Sequence, residues 1–243
     1  MSEWTLGAVL DAIADVVPDR RMTVCGDRSS TFAESADRTR RLANFLVGRG
    51  FGVHHEREKL NRWECGQDRV ALVMHNDLYP DMVVGCLKAR VVPVNINHYY
   101  SASEIYELLE YVQPRGIIYH RSLGARFADV LSAELLVSIE DGSTAAELRG
   151  AVRLDDALAI GSRDRDVSPS PDDLIIMCTG GTTGRPKGVL WRQGDMYVTS
   201  MVGADHASAA ERSTRRFGRP DRRGSRCHRS CMPPVCGPRS RRS

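Results

Sequence analysis

The stretch Cys-Thr-Gly-Gly-Thr-Thr-Gly-Arg-Pro-Lys-Gly, residues 178–188, carries the residue types that hold polyphosphate. Gly180, Gly181 and Gly184 allow positive φ and let an anion come close to the backbone. Successive amides exposed in this way can converge on an anion. Thr179, Thr182 and Thr183 add hydroxyl donors, and Lys187 adds one mobile positive charge directly after Pro186. Of the 34 basic residues only Lys59, Lys88 and Lys187 are lysines, so a lysine here points to a site that wants a compact ammonium in place of a planar guanidinium. The stretch is neither a Walker A loop, because Gly188 follows Lys187 where Ser or Thr would be needed, nor a G-x-G-x-x-G fingerprint. A Gly/Thr-rich surface loop without a ligand is the competing reading.

Other chemically capable residues form weaker patterns. His54, His55 and Glu56 have no metal-binding spacing on a helix and read as a polar surface loop. Cys178 reads as a small residue ending a buried strand. Tyr99 and Tyr100 read equally as packing or substrate-side residues. Cys227, His228, Cys231 and Cys236 are zinc-ligand types, but their gaps and the lack of a second pair favour a solvated tail. Cys25, Cys65, Cys86 and Cys178 show no pairing pattern and are expected as reduced thiols.

A strand must deliver the glycine-rich loop, and Leu174–Cys178 is a short apolar run of that kind. Upstream, a helix is expected over Leu6–Val17 with Thr5 as its N-cap, followed by two short strands around Gly26-Asp27. Thr31 with Glu34, and Ser101 with Glu104, are capping boxes that open two helices, the first running to about Arg49 and stopped by Gly50. Arg69–Met74, Val91–Asn97, Gly116–Tyr119 and Leu135–Glu140 are strand candidates. Pro93 argues for an edge or irregular position for the second of them. Helices are expected over about Leu78–Lys88, over about Leu123–Leu131 and from near Asp195, with Val189–Trp191 short and extended. Residues 51–68 have no clean period and read as a loop or insertion. Alternating strands and helices argue for the α/β class, with a mainly parallel sheet and helices on its faces.

The 243 residues have 42% hydrophobic and 27% charged content, ordinary for a soluble globular chain. The net charge of +3 hides an asymmetry. Residues 207–243 carry eleven arginines against Glu211 and Asp221, which is +9 and leaves −6 for residues 1–206. An acidic body does not suit nucleic acid, so none is expected as a partner, although a basic arm could meet RNA or acidic lipid. Residues 207–243 contain no Leu, Ile, Lys, Tyr or Trp and are expected to be a disordered basic tail, with out-of-frame translation of a GC-rich gene as one origin. The expected division is therefore 1–206 and 207–243. No transmembrane segment is expected, the first residues do not resemble a signal peptide, and a cytoplasmic location is expected.

The stretch Thr-Gly-Gly-Thr-Thr-Gly-Arg-Pro-Lys-Gly-Val resembles the phosphate loop of the adenylate-forming superfamily of acyl-CoA synthetases, luciferases and adenylation domains. Residues 30–46 and 68–97 are similar to earlier stretches of that family, with Arg90 where the family pattern has Gly. The resemblance covers about Leu6 to His206 and is nearest to actinobacterial long-chain and steroid-side-chain acyl-CoA ligases. It implies the N-terminal part of the large domain, with an incomplete sheet and an exposed edge. It also implies that Thr179, Gly180, Gly181, Thr182, Thr183, Gly184 and Lys187 bind the β- and γ-phosphates of ATP, while Arg185 stands at a variable position. The implied reaction joins a fatty or steroid carboxylic acid to AMP and then to coenzyme A, with Mg²⁺. The family's adenine, ribose, hinge and catalytic-lysine motifs are not found, so no catalytic or metal-binding residue is named, and a non-catalytic fragment is the alternative expectation.

Overall fold

The computed structural model describes residues 4–128, 133–162, 164, 167–179 and 187–201. The chain begins with α1 (Leu6–Val16), capped by Thr5, whose hydroxyl accepts from the Ala8 amide. A small antiparallel hairpin follows, β1 (Arg21–Cys25) and β2 (Arg28–Thr31), turning at Gly26 with φ +60°. It leads into α2 (Phe32–Gly48), opened by the Thr31/Glu34 capping box and ended before Gly50 at φ +77°. Next come β3 (Arg69–Val73), α3 (Tyr79–Lys88), β4 (Val92–Ile96), α4 (Ala102–Val112) and β5 (Gly116–His120). The chain goes on through β6 (Leu135–Ile139), β7 (Val152–Arg153), α5 (Leu154–Ile160), β8 (Leu174–Thr179), β9 (Lys187–Arg192) and α6 (Gln193–Ser200).

Seven of these strands form one sheet in the order β7-β6-β5-β3-β4-β8-β9. Every neighbouring pair is parallel except β8 with β9, so the sheet is mainly parallel as the alternation implied. Alternation along β3 splits the core in two. Val70 and Leu72 face α2, α3 and α5, meeting Leu42, Phe45, Leu46, Met82 and Cys86. Ala71 and Val73 face α4, meeting Ile105, Leu108 and Val112. Burial pushes the Cys86 thiol up to about 12, so it packs as a small apolar group.

The Ser101/Glu104 box starts α4, with the Ser101 amide donating to Glu104 Oε2 at 2.8 Å. Ser101→Ala removes the oxygen that accepts from the Glu104 amide and is expected to cost about 1 kcal/mol, read from the urea midpoint.

Two expectations need correction. Pro93 lies in a strand paired on both sides, not at an edge. The Val92 amide bonds toward β3, so alternation turns the nitrogen of Pro93 toward β8, whose pairing begins only at Val94; no ladder bond is lost. Where a helix was expected over about Leu123–Leu131, residues 123–126 instead belong to a 3₁₀ turn, Arg121–Arg126, closed by Phe127 N–H bonding to the Gly124 carbonyl, and residues 129–131 lie outside the described residues. A Cβ on Gly124 would stand 2.9 Å from the Tyr119 ring, so the chain passes too close to β5 for an α-helix. The β7–α5 unit was not anticipated at all. Leu154 and Ala157 bury into the core, a one-sided pattern too short to stand out.

Residues 51–68 form a closed loop. The His54 and His55 amides donate to the Gly66 carbonyl, a bridge joins Val53 to Gln67, and Arg57 donates to the carbonyls of Asn61, Arg62 and Glu64. β9 has no partner on its outer side among the described residues, and Met177, Val189 and Trp191 stay partly exposed there.

Candidate functional site

The sheet order reverses between β3 and β5, because β3 is followed by β4 on one side and β5 by β6 on the other. The chain leaves β3 through α3 on one face, then leaves β4 through α4 on the other to reach β5. In open parallel sheets, ligands bind in the crevice outside the carboxyl ends of the strands at such a reversal. β8 lies beside β4 in parallel, so its carboxyl end opens on the same edge.

Thr179 ends β8 and Lys187 begins β9, and they form the last paired position of the hairpin. Antiparallel pairing holds the two ends of the glycine-rich loop side by side at the carboxyl edge of the sheet. Of the expected phosphate-binding residues, Thr179 and Lys187 enter this description as strand backbone. Gly180, Gly181, Thr182, Thr183 and Gly184 lie outside the described residues. Cys178 packs against the α4-side core, and burial raises its thiol, which argues against a reactive role.

At and beside the reversal stand three histidines that sequence reasoning did not single out. His75 follows β3, His98 follows β4 and His120 ends β5. The His75 ring centroid is 4.9 Å from that of His98 and 5.1 Å from that of His120. The His75 amide donates to His120 Nδ1 at 2.9 Å. That bond fixes the neutral tautomer with its proton on Nε2, a buried atom without a hydrogen-bond partner among the described residues. Burial is the main force holding the His120 imidazole down to about 4, with His75 adding to it; His98 is lowered by burial, His75 and Arg126. Tyr99 stacks on His98 at 4.1 Å and is 80% exposed, whereas Tyr100 is half-buried against the core. The arrangement supplies aromatic surface and neutral nitrogens, and no His, Cys, Asp or Glu group fit to hold a metal is present among the described residues.

His54 is held by Asp68 at 2.8 Å and Glu56 by Arg90, which confirms structural roles in the loop. Cys227, His228, Cys231 and Cys236 lie outside the described residues, and Cys25, Cys65, Cys86 and Cys178 are free thiols. No helix among the described residues is long and apolar enough to cross a membrane.

Known proteins agree with this geometry. A 204-residue match to the medium/long-chain-fatty-acid–CoA/3-oxocholest-4-en-26-oate–CoA ligase of Mycobacterium marinum is 32% identical and covers 80% of this chain and 35% of that protein. The medium-chain acyl-CoA ligase Mig of Mycobacterium avium is 40% identical over 206 residues, covering 82% of this chain and 38% of that protein. The chain thus spans a little over a third of the length of these relatives. The crystal structure of the anthranilate CoA ligase AuaEII in complex with anthranoyl-AMP superposes with TM-score 0.68 at 18% identity, covering 83% of this chain and 37% of that one. With residues 10–217 matching the family described as AMP-binding enzyme, the chain belongs to that family.

Proposed function

We propose that this chain is the phosphate-binding portion of an AMP-forming acyl-CoA ligase, acting on a fatty or steroid acid in the cytoplasm. The observation that carries the reading is the placement of a Gly/Thr/Lys loop between β8 and β9, at the carboxyl edge of a mainly parallel sheet and on the same edge as its reversal point. The loop's composition fits a nucleoside triphosphate: amides and hydroxyls from Thr179 to Gly184 for the β- and γ-phosphates, and the Lys187 ammonium for their charge. ATP supplies an activated phosphorus that a carboxylate can attack, Mg²⁺ offsets phosphate charge, and coenzyme A accepts the acyl group. The part assigned to this chain is to bind and orient the departing pyrophosphate end, where positioning and fixed positive charge lower the barrier. No residue described here is placed as the Mg²⁺ or coenzyme A ligand.

For the 243 residues taken by themselves the reading is narrower. They hold triphosphate with little or no ATP–pyrophosphate exchange, because the relatives carry this match in a little over a third of their length.

Titrating the full chain with ATP and with inorganic tripolyphosphate tests the reading. Lys187→Ala is expected to weaken both by about tenfold to a hundredfold, the scale of one lost charge-assisted hydrogen bond. Lys187→Arg is expected to recover part of the loss, because charge returns without the compact geometry. Equal affinities in wild type and Lys187→Ala would remove the loop from the site.

A further inference from the structure

The outer face of α4 differs from the other helix surfaces. Ile105, Leu108, Leu109 and Val112 bury against the sheet, while Ser103, Glu104, Tyr106, Glu107, Glu110 and Tyr111 face outward at helical spacing. The helix has three carboxylates and no basic residue. Glu104 serves the cap, but Glu107 and Glu110 pair with no cation among the described residues. On α2, by contrast, Asp37 is held by both Arg40 and Arg41. Tyr106 and Tyr111 are 44% and 62% exposed beside the free carboxylates. Carboxylates interleaved with aromatic faces make a surface that suits arginine, which pairs with the one through its planar fork and stacks on the other.

The same chain carries such a ligand. Eleven arginines lie between Arg212 and Arg242, with Asp221 as the sole acid in that interval. We infer that this arginine-rich segment docks on the acidic, aromatic outer face of α4.

Reach permits it. α6 ends at Ser200 on the sheet face opposite α4, and the short way between the two faces is round the outer edge of β9. Packed layers lie about 10 Å apart, so the path is about 20 Å. The eleven Cα–Cα steps from Met201 to Arg212 extend to about 36 Å. The far end of α4 borders that edge, since a Cβ on Gly188 of β9 would stand 3.5 Å from the Tyr111 ring. The contact uses charges that the phosphate loop does not.

Limited trypsin digestion of the full chain tests the docking, because every arginine of the segment except Arg219, which precedes Pro220, is a cleavage site. At low salt, bonds after Arg212 to Arg229 are expected to be cut about three- to tenfold more slowly in wild type than in Glu107→Gln/Glu110→Gln, which tracks the fraction undocked. Salt at about 0.5 M, where screening acts within a few ångströms, is expected to abolish the difference. Both substitutions are at exposed positions, and matching thermal melts check that the fold is kept. Hydrogen exchange at the α4 amides gives a second reading: replacing Arg212, Arg215, Arg216 and Arg219 by Ser is expected to speed it. Equal cleavage in wild type and variant would overturn the inference. Protection that rises with protein concentration would also overturn it, since the segment would then be reaching a second copy.

Discussion

Replacing Arg90 by alanine is expected to lower the unfolding free energy by about 3 kcal/mol, among the largest losses any single non-core residue should give. Arg90 follows α3 with φ +57°, in the left-handed region. Its amide bonds to the Leu87 carbonyl and the next amide, of Val91, to the Cys86 carbonyl, the Schellman arrangement in which glycine usually holds this position. A non-glycine residue there is strained by about 1 kcal/mol. What offsets the strain is the guanidinium. It reaches both Glu56 oxygens at 2.8 Å and Asp173 at 3.0 Å. Asp173 is 2% exposed and also accepts from Gln67 Nε2 and the Ser170 amide. Burial pushes its carboxyl up even with Arg90 beside it. Without Arg90 a buried charge stands unpaired, so the loss is greatest above neutral pH and shrinks as acid protonates Asp173.

Two comparisons separate strain from pairing. Arg90→Gly is expected to be about 1 kcal/mol less damaging than Arg90→Ala, because only glycine relieves the backbone. Asp173→Asn placed on Arg90→Ala is expected to recover about half of the loss, because it removes the orphaned charge and keeps an acceptor. Urea midpoints at constant m-value measure all three. If glycine and alanine were equally costly, the left-handed strain would play no part. If Arg90→Ala cost under about 1 kcal/mol, the pair would be a surface contact in effect.

Arg90 also shows what the sequence exposes and what it hides. Its departure from glycine is visible along the chain, but its partners are not, because Glu56 and Asp173 lie 34 and 83 positions away. The caps at Thr5, Thr31 and Ser101 were legible because each uses hydrogen bonds within three residues. The strands were legible as apolar runs, since parallel strands are covered on both faces. Pro93 misled because which neighbour a strand residue addresses depends on register, and register is set by packing. The glycine-rich loop stands out in composition, yet its place at the carboxyl edge of the sheet rests on the order β4-β8-β9. The histidines carry a faint signal, each coming at or just after the end of an apolar run. Nothing local brings the ends of β5, β3 and β4 together.

That convergence governs the response to acid. The His120 side chain is buried at 1% exposure and is held neutral to about 4, while an unfolded histidine titrates near 6.5. A base whose folded value is lowered favours the fold above the unfolded value and withdraws that support as pH falls toward the folded one. The window is therefore about 6.5 down to about 4, and between pH 7 and pH 5 this group alone is expected to remove on the order of 2 kcal/mol. His98 acts in the same direction. The charges around the cluster are mixed: Asp77 and Asp141 favour a protonated His120, while His75 and Arg28 oppose it, as Arg126 does for His98. Elsewhere, Asp81 and Asp173 are pushed up by burial and gain as pH falls, while Asp68, Glu56 and Asp37 are lowered by their partners and lose support in more acid solution. The total slope is thus a balance, and a variant must isolate the histidine. His120→Asn keeps an acceptor for the His75 amide and cannot titrate. Wild type and variant unfolding curves are expected to converge by about 2 kcal/mol between pH 7 and pH 5. Curves that stay parallel across that interval would mean that His120 takes up no proton on unfolding, and that the buried Nε2 at the sheet's reversal exerts no such control.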